Sequence, residues 1–541
     1  MPQSFGKELM RIHETRRAAR NCYEETWEDL LRVGRPSQRS FLNKSNQPHQ
    51  KESEDIFDNT AMVAAEDLAS TIFVSTTDPA QNWLKLTLKD PLEADIPDNA
   101  AWLALVSKLI LANYANTESN FYSSALESSI DTVWYGTGVE SQIVDTSQKT
   151  TYFKTWALAD IYLDESAKGE IDRIDRVFRL TQRQVKQMFA KSTDFIPSAL
   201  EKQLKNEDAN MRLEFVEMIF PRDEYDSSKS DKANRPYQSV ILFKETGDII
   251  REDGYHDFPF HVSRWTKEAG DVYGFGLGMK ALPTIKQLQT AKREWIAAVE
   301  VANRPPLIVE DDSILDGVGL GAGHLNISTN PLSQGMPIVP MQLGTVPQQA
   351  WQAIQDLRSE VNGFFYNDAT QIAKKRERQT ESEVLILQQE QIRKIRAVVG
   401  RIERESINKK VIATYNALNR MGVIPAPPNQ IKSKLDIVYE NAAARAQKQS
   451  GIQERAGFLN RVATYAQFDQ SVAAHLNVAE VLRLDAQDSD QPRSILKTPE
   501  QVQEEQQAAE EKQQQQMMME NAGGLAKGIK DLSDANVLPS Q

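Results

Sequence analysis

The chain has 541 residues, 40% of them hydrophobic, enough for about two to four core-sized units. Its 76 Asp and Glu outweigh 63 Lys and Arg to give a formal charge of −13, which excludes a protein that coats nucleic acid with its whole surface and allows only local DNA contacts. One cysteine, Cys22, excludes an intrachain disulfide and any multi-cysteine metal site, and with neither a membrane-length apolar run nor a signal-peptide core, a soluble chain assembled in a reducing cytoplasm is expected.

Residues 7–33 read as a helix with Leu9, Ile12, Tyr23, Trp27, Leu30 and Leu31 on one side. Arg11, Arg16, Arg17 and Arg20 gather on another, for DNA, an acidic neighbour or a solvated or intersubunit face, and Cys22 is expected to pack beside Tyr23. After a polar loop at 34–54, Asp58-Asn59-Thr60-Ala61 opens a small-residue helix through Ala65, Leu68 and Ile72, and Trp83 fills a core. Asp55, Asp58, Glu66 and Asp67 read as caps and surface charge, there being no His or Cys nearby. Two amphipathic helices follow, through Trp102, Leu105 and Leu109, then Phe121, Leu126 and Trp134.

From 139 to 265 the period shifts towards two, predicting strands at Ser141–Val144, Thr150–Trp156, Ile161–Leu163, Asp175–Leu180, Leu213–Phe220 and Tyr237–Phe243, with turns at Gly247 and Gly254 and a helix over Gln182–Phe189. The expected result is an α+β body with a mostly antiparallel sheet. Gly274-Phe275-Gly276-Leu277-Gly278 lacks the spacing of a phosphate loop and is expected to be a flexible hinge.

Pro283 suits the first turn of a helix carrying Ile285, Leu288, Trp295, Ile296 and Val299, which Arg304-Pro305-Pro306 stops. A Gly/Pro-rich excursion follows, with short strands expected at Leu307–Val309, Leu325–Ile327 and Met336–Val339. Thr345-Val346-Pro347-Gln348 caps a second helix through Trp351, Ile354, Leu357, Val361 and Phe365. A basic loop, Lys374-Lys375-Arg376-Glu377-Arg378, precedes a long helix starting at Thr380-Glu381-Ser382-Glu383-Val384 and ended by Gly422 and Pro425. At 1.5 Å per residue it would be roughly 60 Å long, so it must span subunits or line a large assembly. Beyond it lie Leu435–Asn441, helices through Phe458, Val462 and Tyr465 and over His475–Leu484, and a Gln/Glu-rich stretch, 501–520, expected to fray or stay disordered.

Enzyme signatures are missing: there is no Walker loop, nucleophile elbow or Cys/His pair, and His256 and His261 have no third ligand pattern, so neither metal nor cofactor is expected.

The order helix, β tip, helix, loop, long helix, with Thr380–Val384, the Asp-x-Thr-Ala and Trp83 stretch, Asn120-Phe121, Gly136-Thr137-Gly138 and Tyr439-Glu440-Asn441 before Ala444-Arg445-Ala446-Gln447, resembles the portal, or head-to-tail connector, proteins of short-tailed double-stranded DNA phages. The resemblance runs roughly from Glu24 to Lys497. It implies a portal fold: an α/β wing over 1–278, stem helices at 279–304 and 345–366, a clip at 305–344, a tunnel loop at 367–379, a long wing helix at 380–422, a helical crown at 423–500 and a flexible tail at 501–541. It also implies a virion component assembled in the host cytoplasm, a twelvefold ring at one capsid vertex through which double-stranded DNA is packaged and ejected. Expected partners are a separate ATP-hydrolysing terminase, tail adaptor and tail proteins, and major capsid and scaffolding proteins. Lys374, Lys375, Arg376 and Arg378 would then form a collar that attracts phosphates without reading bases, or else pair between subunits with acids such as Glu377 or Glu381. The clip acids Glu310, Asp311, Asp312 and Asp316 would repel DNA and dock partner proteins, or form a solvated turn. The alternative is a cytoplasmic scaffold or adaptor that uses the long helix as a coiled coil.

Overall fold

The computed structural model describes residues 2–42 and 56–303 with short interruptions, strands at 307–309 and 338–340, residues 348–367, most of 393–439, residues 442–466 and scattered positions from 476 to 502. The basic loop, the clip acids, the expected strand at Leu325–Ile327, the first two residues of that expected at Met336–Val339 and the start of the long helix lie outside the described residues. The chain divides into two units, Met1–Ala443 and Ala444–Gln541.

In the first unit, α1 (Pro2–Gly34) precedes α2 (Thr60–Thr77), β1 (Leu84–Leu88), α3 (Pro97–Ala115) and α4 (Phe121–Tyr135). Eight strands follow: β2 (Thr137–Asp145), β3 (Thr150–Thr155), β4 (Ile161–Glu165), β5 (Ile171–Thr181), β6 (Arg212–Pro221), β7 (Tyr237–Phe243), β8 (Asp248–Tyr255) and β9 (Phe260–Arg264). Between β5 and β6 sit α5 (Gln182–Met188), closed by a Thr181/Gln184 capping box, and α6 (Ser198–Leu204).

Of the six strands predicted between 141 and 243, five fall within observed ones and Thr150–Trp156 runs one residue past β3; every pairing there is antiparallel, but the described residues of the body form two sheets rather than one. The smaller is ordered β3-β2-β9 and the larger β4-β5-β6-β7-β8. Gly247 makes the expected turn at φ +72°, whereas Gly254 lies within β8. In the larger sheet alternation sorts residues to two faces. Leu213, Phe215, Ile241 and Phe243 pack under α5 and α6 with Val185, Phe189 and Leu200. Val216, Met218, Val240 and Leu242 meet Leu9, Met10 and Ile12 of α1. That sheet is therefore covered on both sides by helices.

Arginines of α1 fix this arrangement, which differs from the outward-facing cluster expected. Arg20 is fully buried, bonded to Glu24 and to the carbonyls of Leu158, Ala159 and Ile161, with its guanidinium 3.8 Å from the Tyr162 ring centre. Arg16 reaches Asp164 and the buried Asp175, while Arg17 stays at the surface with Glu14. A long cation can enter a core only where carboxylates and carbonyls meet each of its donors, and the edge of the sheet supplies them. Cys22, expected to pack, is exposed one residue away from the packed Tyr23.

The main core joins α2, α3, α4, β1 and the smaller sheet to three later helices: α7 (Leu277–Asn303), α8 (Gln348–Phe364) and α9 (residues 393–420). Pro283 lies inside α7, which begins earlier than a first-turn proline would place it. Strands β10 (Leu307–Val309) and β11 (Ile338–Pro340) pair with each other between α7 and α8. Gly422, at φ +68°, closes α9 as expected. A π turn at Glu403–Ile407, not anticipated, interrupts it. Strand β12 (Leu435–Tyr439) returns to pair with β1, Leu84 opposite Tyr439 and Leu88 opposite Leu435. In the second unit, α10 (Ala442–Ala466) continues from residue 444, and Arg455 pairs with Asp485 at 2.8 Å.

The glycine run before α7 is a packed joint, not a hinge. Gly136 caps α4 at φ +81° and its backbone lies against Gly274 and Gly276. A Cβ on Gly276 would come within 2.5 Å of Gly136 N, and one on Gly278 within 2.6 Å of Trp134 O. Thr137 Oγ1 accepts from Gly274 N at 2.9 Å, and Gly136 O accepts from Trp265 N at 2.9 Å. Glycine serves here for close backbone approach, which removes rather than supplies freedom.

Candidate functional site

Helices α7 and α8 form an antiparallel hairpin: Thr284 meets Glu360 near its base, and Trp295 meets Trp351 farther out with ring centres 4.8 Å apart. Lys292 Nζ sits 4.4 Å and 4.6 Å from those two rings, a cation–π clamp. Along α7 the basal residues Leu277, Ala281, Leu282, Ile285 and Leu288 are buried. Farther out, Ile296, Val301 and Trp351 are exposed.

The base is tied to the Asp58-Asn59-Thr60-Ala61 stretch. Gln289 Oε1 accepts from the N–H groups of Phe57 and Asp58 at 2.8 and 2.9 Å, and its Nε2 donates to Asp58 O at 2.7 Å. From α8, Arg358 Nε and Nη2 donate to the Asp58 carboxylate at 2.8 and 2.6 Å. The same carboxylate accepts from Thr60 N and Oγ1 and so leads α2. Burial opposes its ionisation, yet the Thr60 and Arg358 donors outweigh burial and hold its pKa below the ordinary value. Asp58, expected as a cap or surface charge, instead sits buried one residue before the cap position, Asn59, and holds both legs of the hairpin, and Asp67 of α2 accepts from Asn367 just past α8.

Helix α9 is held by two buried cation–carboxylate contacts. Arg264, at the end of β9, donates Nε and Nη2 to Glu405 in the π turn at 3.0 and 3.1 Å, and Nη1 to Glu165 at 3.1 Å. Its remaining donors meet the carbonyls of Val272 and Gly169. The π turn adds a residue to one helical turn and brings Glu405 to this bidentate grip while Lys410, farther along, meets Glu140 of β2 at 2.7 Å. Thr414 then joins Tyr114 of α3 and Gln142 of β2.

His261 is buried against Gln142, Nε2 to Oε1 2.9 Å, and burial with the neighbouring Lys410 and Lys409 drives its pKa well below 6.5. It stays neutral when folded, whereas an unfolded His261 takes a proton below about pH 6.5, so the unfolded state binds more protons there and stability is lost as the pH falls. Between pH 7.5 and 5.5 His261 is expected to cost about 1.4 kcal/mol, a loss that ends below its folded pKa. Denaturant titrations of wild type and His261→Gln at both pH values check this: the loss between the two should be smaller in the variant by about that amount. His256, whose pKa burial and Arg420 also lower, lies apart from that network. Among the described residues no group of three His, Cys, Asp or Glu could hold a metal, and no helix is long and apolar enough to cross a membrane.

Of the residues expected to act, Lys374, Lys375, Arg376 and Arg378, and Glu310, Asp311, Asp312 and Asp316, lie outside the described residues. What the geometry adds is the frame that would carry them: a hairpin anchored at its base, and a helix clamped to the smaller sheet. Gln289, Arg358, Arg264, Glu405 and Lys410 were not singled out by sequence. Most of their partners lie 95 to 300 residues away, beyond any local pattern.

The model of the bacteriophage head to tail connecting protein family matches residues 6–496. The chain is 26% identical over 502 residues to the portal protein of Salmonella phage epsilon15, covering 90% of this chain and 87% of that one. It is 23% identical over 438 residues to the probable portal protein of Bordetella phage BPP-1, covering 80% and 78% respectively. Since that family model spans nearly the whole sequence, the chain belongs to the bacteriophage head-to-tail connecting proteins.

Proposed function

We propose that this chain is the subunit of a phage portal ring, a structural connector rather than an enzyme, which forms the channel for packaging and ejecting the genome. The observation that carries the ring is the hairpin α7/α8, whose base is fixed by Asp58 and whose outer part leaves Ile296, Val301 and Trp351 exposed. Neighbouring copies standing side by side would cover those side chains, which water does not favour. Twelve copies at one capsid vertex, the hairpins as stem and residues 1–278 as wing, follow the family resemblance.

Lys374, Lys375, Arg376 and Arg378 then line the lumen, where screened, exchangeable phosphate contacts hold DNA without reading it. The acidic stretch Glu310–Asp316 repels DNA and docks proteins, terminase during packaging and tail adaptors afterwards, while capsid and scaffolding proteins meet the outside of the ring. The virion is the destination and the host cytoplasm the place of assembly.

Negative-stain images of the purified chain should show rings with a central hole. Rods or dimers would point to the coiled-coil scaffold, and a stable monomer would remove the ring. Neutralising Lys374, Lys375, Arg376 and Arg378 together is expected to leave rings intact and lower retained DNA about twofold or more, each lost phosphate contact weakening the hold. Equal packaged DNA in mutant and wild type would remove the loop's role.

A further inference from the structure

Ile395, Val399 and Ile402 bury one face of α9. On the other, Arg393, Lys394, Arg396 and Arg404 are exposed and Arg401 is half-buried, with Ala397 and Gly400 exposed between them. At 3.6 residues per turn Arg393, Arg396, Gly400 and Arg404 fall in one stripe flanked by Lys394 and Arg401. From 393 to 404 the one acid is Glu403, and the next, Glu405, is turned to Arg264. None of the five cations pairs with an acid among the described residues, and Arg401 Nη1 is screened from solvent with no hydrogen-bond partner there. A Cβ on Gly400 would meet nothing within 4 Å, so the middle of the stripe is an open furrow.

We propose that this face of α9 is a second phosphate-binding surface, separate from the 374–378 loop, that lies along the backbone of duplex DNA. Five cations over roughly 16 Å of helix, one about every 3.3 Å, match the spacing of about 3.4 Å between charges along one strand of a duplex. The acidic surface of another copy is the competing occupant, since the chain is −13 overall. A protein interface, however, needs an apolar or aromatic anchor near its centre, and here the centre is Ala397 and Gly400. Binding through guanidinium and ammonium groups to phosphates reads charge and not sequence. The choice of duplex DNA rests on the portal reading.

The test titrates full-length protein with a random duplex of about 30 base pairs at about 50 to 200 mM salt, checking each preparation for rings by negative stain. The Arg393→Gln/Arg396→Gln/Arg404→Gln variant is expected to bind about tenfold more weakly at low salt, with a log–log salt slope shallower by about two to three. Gly400→Glu, which places an acid in the furrow where there is room for it, is expected to weaken binding severalfold. The corresponding triple Arg→Lys variant should keep both affinity and slope close to wild type. Unchanged affinity and slope in the first two variants, with rings intact, overturn the proposal and leave the portal reading standing. Loss of rings in the triple Gln variant overturns it too, by making the stripe a contact between copies. Stripe-dependent binding by a wild-type protein that forms no rings supports the surface and removes the portal reading instead.

Discussion

Lys410→Met is expected to destabilise the first unit by about 3–5 kcal/mol, the usual cost of removing one partner from a buried ion pair. Lys410 and Glu140 are each only 3% exposed, so the Glu140 carboxylate left behind can neither reach water nor find another cation. The pair joins the long helix to the central strand of the smaller sheet and sits 5.7 Å above the Phe121 ring, in the densest aromatic part of the core. Adding Glu140→Leu removes the orphaned charge, and the double variant should recover at least about half of the loss, because an apolar pair in the same space avoids the desolvation of both ions. Denaturant titration followed by tryptophan fluorescence measures all three variants. Equal midpoints for Lys410→Met and wild type would mean that the pair is solvated in the working protein and does not hold α9.

Several features of this fold were legible in the sequence because they are local. Alternation marked six strands of the two sheets, and Gly422 marked the end of α9. The number of sheets was not legible, since period two reports that a residue alternates between faces and not which neighbour it meets. Nor was the β1–β12 pairing, which joins strands about 350 residues apart in sequence through short alternating runs that look alike in isolation. Buried charge misled for a related reason. Arg16, Arg20 and Asp58 read as surface residues until their partners, 138 to 300 residues away in several contacts, are in place. The stripe on α9 was overlooked because the apolar face of the same helix already explained its pattern.

Gly136→Ala is expected to be still more damaging than the loss of one ion pair, and it separates two readings of the glycine run at 274–278. Were that run a flexible hinge, a methyl group at Gly136 would cost only what a positive φ costs an L-residue, about 1–2 kcal/mol. In the packed joint the methyl also meets Gly274 O and Gly276 N, backbone atoms that no rotamer change can withdraw. Relief requires moving the start of α7 away from α4, and with it the Gly278–Trp134 contact, the Gly274–Thr137 hydrogen bond and the hairpin that α7 carries. Gly270→Ala is the control: its φ is +93°, with nothing within 4 Å of the added carbon, so it pays for the dihedral alone. Thermal melting and negative-stain imaging of both variants should show Gly270→Ala folded and assembled with a small drop in Tm. Gly136→Ala should be largely insoluble, or melt far lower with few intact assemblies. Equal behaviour of the two would return the joint to the status of a hinge and detach the hairpin's position from the body beneath it.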